Sequence, residues 1–396
     1  MKLLQPKLRF PEYNNEWELV KFNTIASFFS GGTPNTSKRK YFNGNIPFIR
    51  SGEINSSTTV QFISLDGLKN SSAKMVEVGD ILYALYGATS GSVGLSKING
   101  AINQAVLCIK SKNNHYFISS FLERQKKIIT KTYLQGGQGN LSADIVKSLI
   151  IPITAIEEQN QIANFLLTIE SKIEKLSLKK EKLIKYRKGI AHEIFSYNKT
   201  FNDSNEKVNL RTGKLKDFGW FYYGKGVPKT SVEENATTPC VRYGELYSTY
   251  NGIIENIKSY TNLDTKDLKL SKGGEVLIPR VGEDPLDFAN CSYLPYSNVA
   301  IGEMISVYNT EENGLFITYY INSMLRKQIA KFVEGGNVSN LYFRYLEEIE
   351  IVIPDTKEQE SIAEFLSSID NKIEKMSNLI EKTKEFKRGL LQQMFT

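Results

Sequence analysis

One long helix is written twice in this chain, two hundred positions apart, and that duplication restricts the architectures open to it. Glu158-Gln159-x-x-Ile162-Ala163-x-Phe165-Leu166-x-x-Ile169-x-x-Lys172-Ile173-Glu174-Lys175 returns as Glu358-Gln359-x-x-Ile362-Ala363-x-Phe365-Leu366-x-x-Ile369-x-x-Lys372-Ile373-Glu374-Lys375. The match runs on through Glu181-Lys182 and Glu381-Lys382, then Gly189 and Gly389, and closes at Phe195 and Phe395. A fixed period dictates architecture, and this one is too long for a solenoid. It describes two copies of a globular domain, each followed by the same helix.

Within the first copy Ile162, Leu166, Ile169, Ile173, Leu176, Leu183, Ile190 and Ile194 fall on alternating four- and three-residue steps, with Lys180 and Arg187 interrupting. The second repeats the seam with Ile362, Leu366, Ile369, Ile373, Met376, Ile380, Leu390 and Met394, interrupted by Thr383 and Lys387. Apolar residues at a and d over several heptads mean a coiled-coil seam. At ~1.5 Å per residue, helices of roughly 38 residues would run about 57 Å. The obvious mate for each stripe is the other copy. The alternative is that each helix packs on its own globular domain.

The segments before the helices, about 1–156 and 198–355, are rich in β-branched and aromatic residues between Gly, Asn and Ser turns. Ile46–Arg50 and Asp80–Ala84 read as strands, with counterparts at Pro239–Tyr243 and Glu275–Ile278. A short helix follows in each, over His115–Thr132 and Leu315–Val333, then Gly136-Gly137-Gln138-Gly139-Asn140 or Gly335-Gly336-Asn337. Strands at Leu149–Pro152 and Ile351–Pro354 lead out. The helices keep the same faces while the globular segments keep a skeleton, which suggests two related readers of different targets. Neutral drift between duplicated domains is the bland alternative.

Three widely spaced cysteines, Cys108, Cys240 and Cys291, argue for reduced thiols and against a disulfide framework. No apolar run approaches the ~20 residues of a membrane span, and Met1–Asn15 shows no secretory signal, so the cytoplasm is the expected compartment. A net charge of +7 permits a polyanionic partner without proving one.

The chain resembles the specificity (S) subunit of a type I restriction-modification system. The resemblance rests on Trp17-Glu18-Leu19-Val20-Lys21, Ser30-Gly31-Gly32-Thr33-Pro34, Ile46-Pro47-Phe48-Ile49-Arg50-Ser51-Gly52-Glu53-Ile54 and Gly79-Asp80-Ile81-Leu82. Gly87-Ala88-Thr89-Ser90-Gly91, Asn103-Gln104 and the duplicated Glu-Gln-x-x-Ile-Ala helix complete it. The second unit departs from the pattern, with Arg280-Val281-Gly282-Glu283-Asp284 where the first has its glycine turn. The resemblance implies an α/β (α+β) fold with an internal pseudo-twofold repeat. Target-recognition domains at 1–156 and 198–355 would be separated by two long antiparallel coiled-coil helices. These are a central region at 157–197 and a C-terminal region at 356–396, acting as spacers and docking sites. It further implies double-stranded DNA with a split target, two modification (M) subunits carrying S-adenosylmethionine, and restriction (R) subunits using ATP and Mg. This chain itself would hold no cofactor and no metal.

The residues offer little for catalysis. His115 and His192 are the only histidines, and neither has a neighbouring acid or serine that suggests a triad. Gly87–Gly94 is glycine-rich but lacks the Lys-Ser/Thr ending of a P-loop. It reads instead as a tight turn that lets the backbone approach a partner. Adenine-methyltransferase, helicase and metal-nuclease signatures are absent from the sequence.

Sequence readout of DNA needs polar and basic side chains at base edges, with further cations on phosphates. In the first unit the candidates are Lys38, Arg39, Lys40, Arg50, Ser51, Tyr86, Thr89, Ser90, Gln138 and Asn140. In the second they are Lys225, Lys229, Thr230, Arg242, Tyr243, Arg280, Asn337 and Asn340. Surface or structural roles compete at every one of these positions. The reading is a non-catalytic DNA-recognition subunit. A coiled-coil scaffold joining two protein ligands is the alternative, and a standalone enzyme the third, against which the missing catalytic groups speak.

Overall fold

The apolar runs of the first globular segment become short strands in a computed structural model that describes residues 6–134, 140–196, 209–250, 252–336 and 338–395. They are β1 (Glu18–Lys21), β2 (Ala26–Ser30), β3 (Ile46–Ile49), β4 (Phe62–Ile63), β5 (Lys74–Val76), β6 (Ile81–Ala84), β7 (Val93–Leu95), β8 (Gly100–Ile102), β9 (Val106–Ser111) and β10 (Ile150–Ile153). One sheet has the order β2-β9-β6-β7, a second β4-β3-β8-β5, and β1 pairs with β10. Among the described strands of this unit only β3 and β8 run parallel, with Phe48 opposite Ala101 and Ile49 opposite Ile102.

The second segment repeats this plan. Its strands are β11 (Arg211–Lys214), β12 (Gly219–Tyr223), β13 (Thr238–Val241), β14 (Ser259–Thr261), β15 (Leu270–Lys272), β16 (Glu275–Pro279), β17 (Val281–Gly282), β18 (Ser292–Leu294), β19 (Ser297–Ile301), β20 (Ile305–Thr310), β21 (Glu334–Gly335), β22 (Ser339–Asn340) and β23 (Glu350–Ile353). The orders β12-β20-β16-β18 and β14-β13-β19-β15, with a β11–β23 pair, match the first unit strand for strand. The parallel strand pair recurs as β13 and β19. The small sheet β17-β22-β21 has no counterpart among the described residues of the first unit.

Asn114 and Asn313 start the domain helices in the same way. Each side chain accepts the N–H three residues on, Phe117 and Phe316, both at 2.9 Å. The first helix runs His115–Tyr133 as expected. The second is not the continuous Leu315–Val333 helix the sequence suggests. It comprises Gly314–Tyr320, a π turn at Ile321–Leu325 and Arg326–Ala330. The wide turn carries Asn322, whose side chain accepts the Cys291 N–H at 2.9 Å and donates to the Cys291 carbonyl at 3.0 Å. A π turn is a common way to re-aim a side chain inside a helix.

The long helices span Ile156–Phe195 and Thr356–Met394. Contacts divide the chain into one unit of residues 1–177 with 378–396 and another of residues 178–377. Each unit therefore holds the start of one long helix and the end of the other. In the first unit Ile162, Leu166 and Ile169 share a core with Leu390, Leu391, Met394 and Phe395, and with Phe117, Phe121 and Leu122 of the globular layer. In the second, Ile362, Ala363 and Leu366 share one with Ala191, Ile194, Phe195, Phe316 and Tyr320. The start of one helix meets the end of the other, so the two run antiparallel within each unit. Both expectations for the seam are realised at once: it packs on the other helix and on the preceding globular domain.

Burial along the seam is uneven. Ile162, Leu166, Ile169, Ile362, Leu366 and Ile369 are buried, but Ile173, Leu176, Ile373 and Met376 are only half-buried. Ile380, farther along the second helix, is buried again, so burial does not simply follow the distance from the helix start.

The duplicated Glu-Gln pair fixes domain to helix. Gln159 Oε1 accepts the Asn114 N–H at 3.0 Å, and Gln359 Oε1 accepts the Asn313 N–H at 3.0 Å. Their amides donate back to the carbonyls of Thr154 and Pro354, at 2.7 and 2.9 Å. Glu158 is fully buried, takes both Arg9 Nε and Nη2 (2.7 and 2.8 Å), and accepts the Trp17 indole N–H at 3.2 Å. The Trp17 motif is thus a structural anchor.

Candidate nucleic-acid interface

Strand direction decides which loops meet. Because β3 and β8 are parallel, Arg50 and Asn103 leave adjacent strands at the same end. The chain after β6 turns there too, through Leu85 and Tyr86 into the Gly87–Thr89 turn. The Leu85 carbonyl accepts the Leu141 N–H at 2.8 Å, which brings Asn140 to this edge. Thr33 Oγ1 donates to Gln104 Oε1 at 2.7 Å, and a Cβ on Gly31 would lie 1.7 Å from the Ile102 carbonyl oxygen. Only glycine lets the Ser30–Pro34 segment close onto the edge.

Five of the first unit's candidates, Arg50, Ser51, Tyr86, Thr89 and Asn140, therefore share one rim. Ser90 does not belong with them as a contact residue: it is 7% exposed, and its hydroxyl donates to the Leu85 carbonyl at 2.9 Å. It braces the turn instead. Lys38, Arg39 and Lys40 are exposed at the other end of β3, where the Tyr41 carbonyl accepts the Ser64 N–H at 2.8 Å. Lys38 and Lys40 lie over the Tyr41 ring at 5.4 and 5.6 Å. Gln138 and Asn337 lie outside the described residues.

The second unit repeats the rim with different side chains. Lys225 N–H donates to the Ile301 carbonyl at 2.9 Å, and Gly302 N–H donates to the Val241 carbonyl at 2.9 Å. Arg280 N–H donates to the Met304 carbonyl at 3.0 Å, and the Arg280 carbonyl accepts the Leu341 N–H at 2.9 Å. Lys225, Arg242, Tyr243, Arg280 and Asn340 come together by these bonds. Lys229 and Thr230 sit apart in an exposed turn, Lys229–Ser231, beside β14. That is the place Arg39–Tyr41 holds in the first unit, so each unit carries a rim and a separate basic turn.

Electrostatics separate the two rims. Arg50 Nε and Nη2 donate to Glu53 at 3.2 and 3.4 Å, and this hydrogen bonding raises the Arg50 pKa. Burial pushes the Glu53 carboxyl up, but Arg50 and the N–H groups of Val60 and Arg50 outweigh it and hold the pKa below normal. The equivalent acid, Glu245, accepts the Arg242 N–H at 2.7 Å and the Ser259 hydroxyl, leaving the Arg242 guanidinium unbonded among the described residues. Arg280 stacks 4.3 Å from the Tyr223 ring centre and 5.6 Å from that of Tyr342. Arg344 lies 5.1 and 4.8 Å from Tyr342 and Tyr345.

Residue-type reasoning passed over Thr33, Gln104, Tyr223, Tyr342 and Arg344. Gln104 stood inside a recognisable motif. The Tyr-Phe-Arg-Tyr run at 342–345 had a signal too, a basic group among aromatics beside a glycine loop.

Residues 14–185 and 207–385 each match the type I restriction modification DNA specificity domain. The chain belongs to that family. Among its relatives are the specificity subunits of the MjaVIII and MjaIX type I restriction enzymes of Methanocaldococcus jannaschii. The first is 23% identical over 97% of this chain and 93% of its own length. The second is 26% identical over 92% and 88%. In fold, the chain is similar to the S subunit of a type I restriction-modification system from M. genitalium, with a TM-score of 0.63, 17% identity and 99% of both chains covered. A structure titled for complex assembly and conformational transition of a type I system superposes with a TM-score of 0.60 at 13% identity, over 100% of this chain and 99% of that one. A specificity subunit is the non-catalytic chain of its restriction enzyme. In this family member the three cysteines are free and buried, and burial pushes the Cys240 thiol up to about 11. No helix among its described residues is long and apolar enough to cross a membrane.

Proposed function

We propose that this specificity subunit binds double-stranded DNA at a split target, one unit reading each half. Two modification subunits carrying S-adenosylmethionine would methylate adenines there, and ATP- and Mg-dependent restriction subunits would cleave unmodified DNA. One observation carries the reading. The two units repeat the same strand order and the same converging rim, yet differ in the side chains that stand on it: Arg50 held by Glu53 in one, Arg242 and Arg280 with no carboxylate partner among the described residues in the other. A shared frame with different rim chemistry suits two readers of two sequences.

The test is a genome-wide map of methylated adenines in cells with and without this chain. The reading expects a bipartite motif that vanishes when the chain is removed. An unchanged map in cells whose modification subunits are active would contradict it. Binding that ignores salt and DNA sequence would favour a scaffold joining two protein ligands instead.

A further inference from the structure

We propose that Arg280 is the specificity-determining residue of the second unit and reads a guanine, a demand the first unit has no matching residue to make. The inference rests on the DNA reading above and deepens it.

The backbone of Arg280 is clamped on both sides by the bonds to Met304 and Leu341. Tyr223 and Tyr342 flank its guanidinium. Among the described residues the buried side-chain nitrogens that lack a hydrogen-bond partner are the Nε atoms of Arg124, Arg242 and Arg280, and two of these three stand on this one rim. Among the described residues no acid pairs with Arg280, whereas Arg50, Arg187, Arg211 and Arg326 all hold carboxylates.

The repeat supplies the control. The position equivalent to Arg280 is Leu85, since each accepts the N–H of the matching leucine, Leu341 or Leu141. The first unit thus has an aliphatic side chain where the second has a planar fork of donors. A guanidinium held beside two aromatic rings loses little freedom on binding, and the outer N–H groups of its planar fork match guanine O6 and N7 in the major groove. Arg242, whose Nε likewise lacks a hydrogen-bond partner among the described residues, stands on the same rim. A Cβ on Gly302 would lie 3.5 Å from Arg242 Cα, so the two edges are in contact.

The experiment is selection from random-sequence DNA by the full chain in complex with its modification subunits, comparing wild type, Arg280→Ala and Arg280→Lys. Wild type should select two half-sites, one of them containing a guanine. Both variants should lose preference for that guanine by about ten- to a hundredfold, with the other half-site unchanged. Arg280→Lys keeps charge and stem, so it should retain overall affinity while losing discrimination. Uniform weakening across all sequences, with a shallower salt dependence, would make Arg280 a phosphate contact and overturn the proposal. An unchanged motif in both variants would overturn it as well, while leaving the DNA reading intact. Failure of the wild-type complex to select any split sequence would sink the DNA reading and this inference with it.

Discussion

Arg187 and Asp370 form a two-pronged ion pair, Nε to Oδ1 at 3.1 Å and Nη2 to Oδ2 at 3.2 Å. They join the end of the first long helix to the start of the second, where the apolar seam is interrupted. The Arg187 guanidinium also lies 4.9 Å from the Tyr319 ring centre. The first unit places the equivalent pair, Lys387 and Glu170, at the equivalent point, with the charges 3.8 Å apart. Two of the four breaks in the seam, Arg187 and Lys387, are thus cross-helix ties, whereas Thr383 bonds back to Leu379 of its own helix. A buried polar tie at a single seam position is a known device for fixing register.

Removing one partner leaves the other charge largely shielded. Arg187→Leu should therefore destabilise the second unit by ~1–3 kcal/mol, below the value for a fully buried pair because both side chains are about one-fifth exposed. Arg187→Leu with Asp370→Leu should recover much of that loss. Urea denaturation of both variants measures it. A double variant no more stable than the single would show that the pair is not coupled.

Phe395 closes the second repeat and packs against Phe117 and Trp17, with ring centres 5.1 and 6.0 Å away. Phe395→Ala should cost ~3–5 kcal/mol in the first unit. Hydrogen exchange should show lost protection around Trp17 and Phe117, with residues 209–377 little affected. Equal loss of protection in both units would contradict this assignment of the helix end.

Lys214 and Lys216 both donate to Glu348, at 2.7 and 2.5 Å, and hold its carboxyl at about 2 against an ordinary 4.5. A depressed carboxylate stabilises the fold above its unfolded pKa, and that contribution is lost as pH falls through the folded value. Glu348→Gln should thus be slightly less stable than wild type near neutrality, and the difference should close between pH 4.5 and about 2. Because the group is fully exposed, the effect is small. Melting curves across that range check it. A difference that persists unchanged to the acid end would mean another group is responsible.

The helices and the order of parts were legible because they depend on local pattern. Heptad spacing gave the seam, and β-branched runs such as Ile46–Ile49 and Glu275–Pro279 gave strands. The rim was not legible, because it is assembled by strand direction. Nothing local in Arg50 or Asn103 says that their strands run parallel, or that Leu141 will bond to Leu85. Ser90 and Thr89 are neighbours of similar chemistry, yet one braces the turn and the other stands on the rim. The π turn at Ile321–Leu325 escaped for the same reason, since its widened backbone serves Cys291, about thirty residues away in sequence.

If each unit reads its own half of a split target, the halves must be exchangeable one at a time. The most direct measurement exchanges residues 198–355 for the corresponding segment of a relative and maps the methylated adenines made by the hybrid complex. One half of the motif should change to the donor's while the other half stays as it was. A hybrid that altered both halves, or neither, would contradict it.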